Sequence, residues 1–471
     1  MTVSSPIFLF FFLPVALAVY YLLREKYRKV TLLAIFLAYY GIAGIENPFS
    51  LLLICIYVFL LFVFTRAISA AKSKVARDVL LGIFISFFVI CTLALRYCGE
   101  RFETIYGLKF PVGVTVRCLL CISCLVDVYR KDTGVPGVDD CVAYLMFFPI
   151  MVAGPVVKFK DFLKIINSRE PSMQNFARGA RLYMRGFVKR LALGTVLNDA
   201  FEGVFAAQLA DVSVFMALAM LIIVSLMMFA ILSGYSDMGT GIALMFGIKL
   251  PENFRDPFFS ATLDIYFSRF MITLYDYVSD YIIFPIVGKN LAPNRRFWGA
   301  TLGFFVIALW YRENPKSLLI ALPIVIVTAG LYAFDVGKNI TRYRAAAALL
   351  GVTTFAVISI FWMALRLRDP FSIMEYSINM AFNGVNYGNV MLLRNVSWLK
   401  YALTFIISLL IAVPSYIKHG LLRRNGERAL RAAKNADAAG TVTITVLFLF
   451  TLIYYMPQYP QYATATLDGL I

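Results

Sequence analysis

Ionisable side chains in apolar surroundings are the residues here whose types could do chemistry, because each is costly to hold there and needs a partner or a ligand. Arg117 stands mid-way along an apolar run over 110–128, as a paired structural charge or as part of a site. Asp237 lies in Ser233-Gly234-Tyr235-Ser236-Asp237-Met238-Gly239, where the glycines predict a sharp break and the carboxylate calls for backbone N–H or cationic partners. Between 264 and 285, Asp264, Arg269, Asp276 and Asp280 are set among Tyr266, Tyr275, Tyr277 and Tyr281. Asp276 and Asp280, four residues apart, share a helical face. Such a pair suits acid–base work, or forms solvated or Arg-paired structural carboxylates. Cys118, Cys121 and Cys124 resemble metal ligands in spacing, but steps of three put them on one narrow helical face without a nearby histidine. They read as small buried thiols, and no metal site is expected. The single histidine, His419, lies between Lys418 and Gly420 at the start of a basic stretch and reads as an interfacial residue.

These residues must be positioned by elements that live in lipid. Of 471 residues 61% are hydrophobic and only 15% charged, against about 25% charged in ordinary globular chains. The relevant unit is then an apolar run of roughly 20 residues, enough to cross about 30 Å. Such runs fall at 6–23, 30–45, 48–65, 79–97, 110–128, 211–232, 297–311, 317–335, 345–366, 399–417 and 440–456. The first is too long for a signal-peptide core and reads as a retained span. The formal charge of +17 gathers between the runs, at Arg24–Lys29, Lys72–Arg77, Arg130–Lys131, Lys338–Arg344 and Lys418–Lys434. That distribution is positive-inside patterning, not a nucleic-acid surface. It places the N-terminus outside, with 99–109 and 367–398, and makes 30–45 and 48–65 a helical hairpin. A multi-pass protein of the cell membrane follows, all-α in fold class and a single domain over 1–471.

Within it, 1–140 and 336–471 supply N- and C-terminal spans around a core at 141–335. From 141 to 296 the pattern is broken, as at Phe148-Pro149, Ala153-Gly154-Pro155, Lys158, Lys160 and Asp161. Broken backbone at membrane depth is tolerated only when buried in protein or lining a wet cavity, so a functional cavity is expected here. Arg178, Arg181, Arg185 and Lys189, with Leu182, Met184, Phe187 and Val188 between them, predict an amphipathic helix at the cytoplasmic interface.

The same segments carry a resemblance. Gly234-Tyr235-Ser236-Asp237-Met238 through Leu244-Met245-Phe246-Gly247, then Pro251-Glu252-Asn253-Phe254 and Pro257-Phe258, resemble the membrane-bound O-acyltransferase (MBOAT) family. The similarity is greatest to its alginate O-acetyltransferase and teichoic-acid D-alanyltransferase branch. Ser5–Phe10, Val126–Arg130, Phe147–Pro149 with Ala153–Pro155, and Phe361-Trp362 with Arg366 agree in order. The resemblance implies a ring of about 11–14 tilted and re-entrant helices around a central cavity. It also implies acyl transfer from a cytoplasmic donor, acyl-CoA or acyl-carrier protein, to an acceptor outside, with no cofactor held by the protein itself.

In that family one histidine belongs to a Trp-His motif and another to a Leu-Trp-His-Gly motif. The corresponding positions here are Phe270-Met271 and Leu309-Trp310-Tyr311-Arg312. A thioether takes no proton near neutrality, and a phenol of pKa near 10 is a poor base. The resemblance therefore puts the reaction centre at Met271 and Tyr311, both expected inactive, with Asp276 as a possible substitute base. Tyr235, Asp237, Asn253, Arg269, Phe270 and Trp310 are expected to line the tunnel. Three functions follow: an impaired acyltransferase for an extracellular polysaccharide or envelope polymer; a non-catalytic scaffold gripping an acyl carrier, a lipid or an active acyltransferase; and, third, a transporter. Beyond the bilayer, the partners implied are an acyl carrier inside and an acyltransferase or glycan synthase outside.

Overall fold

Lipid leaves the backbone few options, because every buried N–H and C=O must find a partner within the chain. The structure, a computed structural model, describes residues 2–106, 113–205, 214–288, 293–311, 315–334, 344–366, 406–407, 410 and 427–455. Among these the regular elements are helices, and the β-type pairing is an isolated antiparallel bridge between Phe254 and Phe270. Glu25–Ile45, Pro48–Ala70, Lys74–Leu95, Leu218–Met245 and Asn435–Tyr454 are long and apolar enough to cross a membrane. Phe8–Leu22, Leu322–Ala333 and Ala347–Met363 are shorter apolar helices. The chain is an all-α, multi-pass membrane protein. Most of the expected run at 399–417, all but residues 406, 407 and 410, and His419 lie outside the described residues.

The first hairpin forms because Asn47 separates two helices, Arg28–Glu46 and Pro48–Ala70. Its side chain accepts from Ser50 N at 3.3 Å while Pro48 starts the second helix, where a missing N–H does no harm. Along that helix Ile54, Tyr57, Val58, Leu61, Thr65 and Ile68 are buried, whereas Leu52, Ile56, Phe59 and Val63 are exposed. The spacing gives one face to the protein and the other to lipid.

The expected run at 79–97 lies within a longer helix, Lys74–Tyr106, of 33 residues, roughly 50 Å and longer than the hydrocarbon core, so that its far end reaches into the segment 99–109. Two other expectations change. The run at 110–128 becomes Val114–Arg130, 17 residues, roughly 25 Å long, buried along nearly its whole length and so a core helix. Its Cys118, Cys121 and Cys124 are free and buried. Second, no break occurs at 233–239, where the helix Val214–Met245 is continuous.

The reason is packing. This central helix lies antiparallel against Met173–Val188, which continues as a π-helical turn over Lys189–Gly194. A Cβ on Gly179 would sit 2.6 Å from Gly241 O, and one on Gly186 2.5 Å from Gly234 O. The two glycines on each helix are seven residues apart, so each meets its opposite number and the backbones touch. Gly239 serves another contact: its Cβ would lie 1.9 Å from Pro149 O, so the glycine seats the broken segment. Met173–Val188 is amphipathic as expected, with Gly179, Tyr183, Gly186, Phe187 and Val188 buried against the protein and Arg178 exposed on the other side.

The broken segment is held by side chains. A short 3-10 turn, Phe148–Ile150, leads through a further turn into irregular chain to Val157, all buried but half-buried Val152. Tyr144 OH donates to Val157 O at 2.7 Å, and Val156 N donates to Thr273 Oγ1 at 2.8 Å. These bonds satisfy groups that a helix would have satisfied internally.

Candidate functional site

Asn253 is the hub from which the site is built. It is 4% exposed in the loop that follows the central helix. Its Nδ2 donates to Ser236 Oγ at 3.2 Å, while Oδ1 accepts from Thr273 Oγ1 at 2.8 Å and from Thr273 N at 3.3 Å. Its carbonyl accepts from Ile272 N at 2.9 Å. Through Thr273 the chain of bonds reaches Val156. One amide thus ties the central helix, the broken segment and the turn at 270–273.

That turn carries Met271. The residue is 2% exposed and left-handed, φ 57 and ψ 56, at the start of the Ile272–Val278 helix. A non-glycine residue pays about 1–2 kcal/mol for that backbone. The bonds from Ile272 and Thr273 to Asn253 oblige it. Phe270 stacks on Tyr266, meets Phe254 edge-on at 5.0 Å and lies 5.2 Å from Trp362, whose Nε1 donates to Tyr266 OH at 3.2 Å. Phe229 joins the cluster against Phe254 and Phe258.

Asp237, one residue on from the hub's Ser236, has two cationic partners. Arg185 Nε and Nη2 donate to its Oδ2 and Oδ1, both at 3.0 Å, and Lys189 Nζ donates to Oδ2 at 2.8 Å. The sequence pattern assigned these two cations to a surface face, and the 3.6-residue period could not separate the two placements. Tyr235 is buried, with the Arg190 guanidinium 5.2 Å from its ring. Arg269 is half-buried, and its carbonyl accepts from Arg255 N.

Asp276 is exposed on the Ile272–Val278 helix, whereas Met271 at the start of that helix is buried. Partial burial raises its carboxyl above the ordinary carboxylate value, with the Lys158 ammonium opposing and the Asp280 charge adding to the rise. Asp280 itself pairs with Lys158, at the start of a π-helical turn over Ser279–Ile283. The Asp280 pair is the structural-carboxylate alternative. The side chains of Asp264, Trp310 and Tyr311 lie outside the described ones. The backbone of the Pro293–Tyr311 helix packs back along residues 272–287, with Gly303 against Val278 and Ile283. Among the described residues no group of three or more His, Cys, Asp or Glu side chains could hold a metal ion.

The sequence pattern of the membrane-bound O-acyltransferase family matches residues 30–352. A probable alginate O-acetylase of Pseudomonas aeruginosa is 29% identical over 329 residues, 67% of this chain and 62% of that protein. The chain therefore matches less than two thirds of that relative's length. A peptidoglycan O-acetyltransferase of Helicobacter pylori is 23% identical over 429 residues, 81% of this chain and 80% of its own. A teichoic acid D-alanyltransferase of Bacillus subtilis is 24% identical over 189 residues, 38% of this chain and 48% of its own. With the match covering most of the chain, including the hub, the turn and the ion cluster, this protein belongs to the membrane-bound O-acyltransferase family.

Proposed function

We propose that this protein serves the O-acylation of an extracellular polysaccharide or cell-envelope polymer, and that its own transfer chemistry is impaired at Met271 and Tyr311. The family and the printed activities of its relatives support the first half. The observation that carries the second is Met271 itself. Its left-handed backbone is a conformation in which His, Asn and Asp are several-fold enriched and methionine is not. A turn shaped for an imidazole would look like this one, with the ring's place taken by a thioether. In acyl transfer from a thioester, the C–S bond breaks, an ester C–O bond forms, and the acceptor's hydroxyl proton must leave. General-base assistance contributes about 10²–10⁴-fold, and sulfur supplies none of it.

The test is acyl transfer by the purified full chain, with acetyl-CoA as donor and an oligosaccharide as acceptor. Wild type should run about 10²–10⁴-fold below the Met271→His/Tyr311→His double variant. Rapid turnover by wild type, unchanged in the double variant, would overturn the reading. A second reading, a scaffold that binds without transferring, is favoured by the packed aromatic cluster around Phe270. It is supported instead if the double variant binds donor and acceptor yet stays inactive.

A further inference from the structure

We infer that Arg269 is a specificity-determining residue, which receives an acidic group of the acceptor polymer in a wet cavity at the middle of the membrane. The inference rests on the reading of the chain as serving the acylation of a polymer, and it adds the charge that the polymer carries.

Two contacts give the depth. Asn253 Nδ2 donates to Ser236 Oγ, and the Phe254 ring meets the Phe229 ring edge-on. Positions 229 and 236 bracket the middle of the Leu218–Met245 span. The loop around Asn253 is therefore at mid-depth, yet the Glu252 and Arg255 side chains are 53% and 66% exposed and Asp256 is exposed beside them. Held against lipid tails, each such charge would cost about 3 kcal/mol or more. They face water instead, and irregular backbone is tolerated at this depth when it lines such a cavity.

Arg269 stands on the strand-like segment paired with this loop. Phe254 and Phe270 form the antiparallel bridge, and Arg255 N donates to Arg269 O at 3.0 Å, so two arginines stand on adjoining backbone. The carboxylates nearby answer one of them. Arg255 donates to Glu252 through Nε and Nη2, and the Asp256 charge acts on Arg255 and Lys189. Asp237 is taken by Arg185 and Lys189, and Glu252 also acts on Arg185. Among the described residues no side chain bonds or pairs with the Arg269 guanidinium. It is half-buried, two residues before buried Met271. Its five donors are left to water or to a ligand.

The donor half of the reaction brings no charge to this place, because the thioester end of acetyl-CoA is a neutral arm with its phosphates at the far end. The acceptor is the reactant left to carry one. A guanidinium fork takes a carboxylate or a phosphate in the bidentate manner, so a uronic acid and a phosphodiester share the required chemistry.

The experiment measures binding to the detergent-purified full chain of two matched pairs of probes. One pair is a short oligouronate and its neutral methyl ester; the other is a glycerol-phosphate oligomer and uncharged oligoglycerol. In at least one pair wild type should bind the acidic member about tenfold or more tightly, and the pair that shows the preference identifies carboxylate or phosphodiester. Arg269→Gln should abolish the preference without lowering the unfolding midpoint, which the loss of a structural ion pair would lower. Arg269→Lys should keep part of it, and Arg178→Gln, exposed on another helix, should keep all of it. No preference in either pair, or a preference that survives in Arg269→Gln, would overturn the inference. That result leaves acylation of a neutral polymer standing, whereas turnover unchanged by Met271→His/Tyr311→His bears on the proposed function alone.

Discussion

At the scale of single residues, Met271 has a backbone its own type disfavours. Replacing it with alanine or glycine removes the same buried side chain, a loss of about 2–5 kcal/mol. The two variants then differ only in what the left-handed backbone asks of a Cβ. Alanine normally stabilises a helical position relative to glycine, but at φ 57 the order should invert. Met271→Gly should be more stable than Met271→Ala by about 1 kcal/mol, read as the higher unfolding midpoint in detergent. The opposite order would mean that the turn relaxes out of the left-handed region. Neither the strain nor the Asn253 hub could be seen in the sequence, because both depend on residues brought together from 156, 236, 253 and 273. Asp237 was legible as a carboxylate in need of cations. Its partners were not, because Arg185 and Lys189 have the spacing that any solvated helical face would show.

Elements explain why the glycines misled. Gly234, Gly239 and Gly241 look like helix breakers in a chain read one residue at a time, yet each faces another backbone at contact distance within an unbroken helix. Such contacts are invisible until the partner helix is placed, and in lipid they take the role that apolar burial has in water. The apolar periods, by contrast, were legible along the Pro48–Ala70 helix, where burial follows the helical repeat. Gly239→Ala would set a methyl 1.9 Å from Pro149 O, a backbone atom that cannot rotate away. It should destabilise the protein by about 1–3 kcal/mol or more. Gly82→Ala is the matched control: its Cβ meets nothing within 4 Å, and helix propensity alone should stabilise it by up to about 1 kcal/mol. Opposite signs for the same chemical change would separate close packing from propensity. Equal signs would show that the Pro149 turn yields.

For the whole molecule, the question the sequence poses is which way the chain faces. Basic residues stay on the cytoplasmic side, and three of the clusters, at 24–29, 72–77 and 130–131, lie in parts of the chain that the structure ties together. Lys29 Nζ bonds Asp139 Oδ2 at 2.6 Å, joining the start of the second helix to the chain just past Arg130. Tyr129 OH donates to Asp78 Oδ1 at 2.5 Å, joining the end of the Val114–Arg130 helix to the chain just past Arg77. The three clusters therefore share one face of the protein, which the charge rule alone requires but cannot demonstrate. The Asn47 hairpin turn, at the far end of the helices that these clusters begin and end, belongs to the opposite face. Cysteines placed at Lys72 and Glu46 would report the two faces to a membrane-impermeant maleimide. In intact cells Glu46→Cys should label and Lys72→Cys should not, and both should label once the membrane is opened. The native thiols at 118, 121, 124 and 141 are buried and should stay silent, while Cys55, which is exposed, Cys91 and Cys98 are first replaced by serine. The reverse pattern would turn the protein over in the membrane.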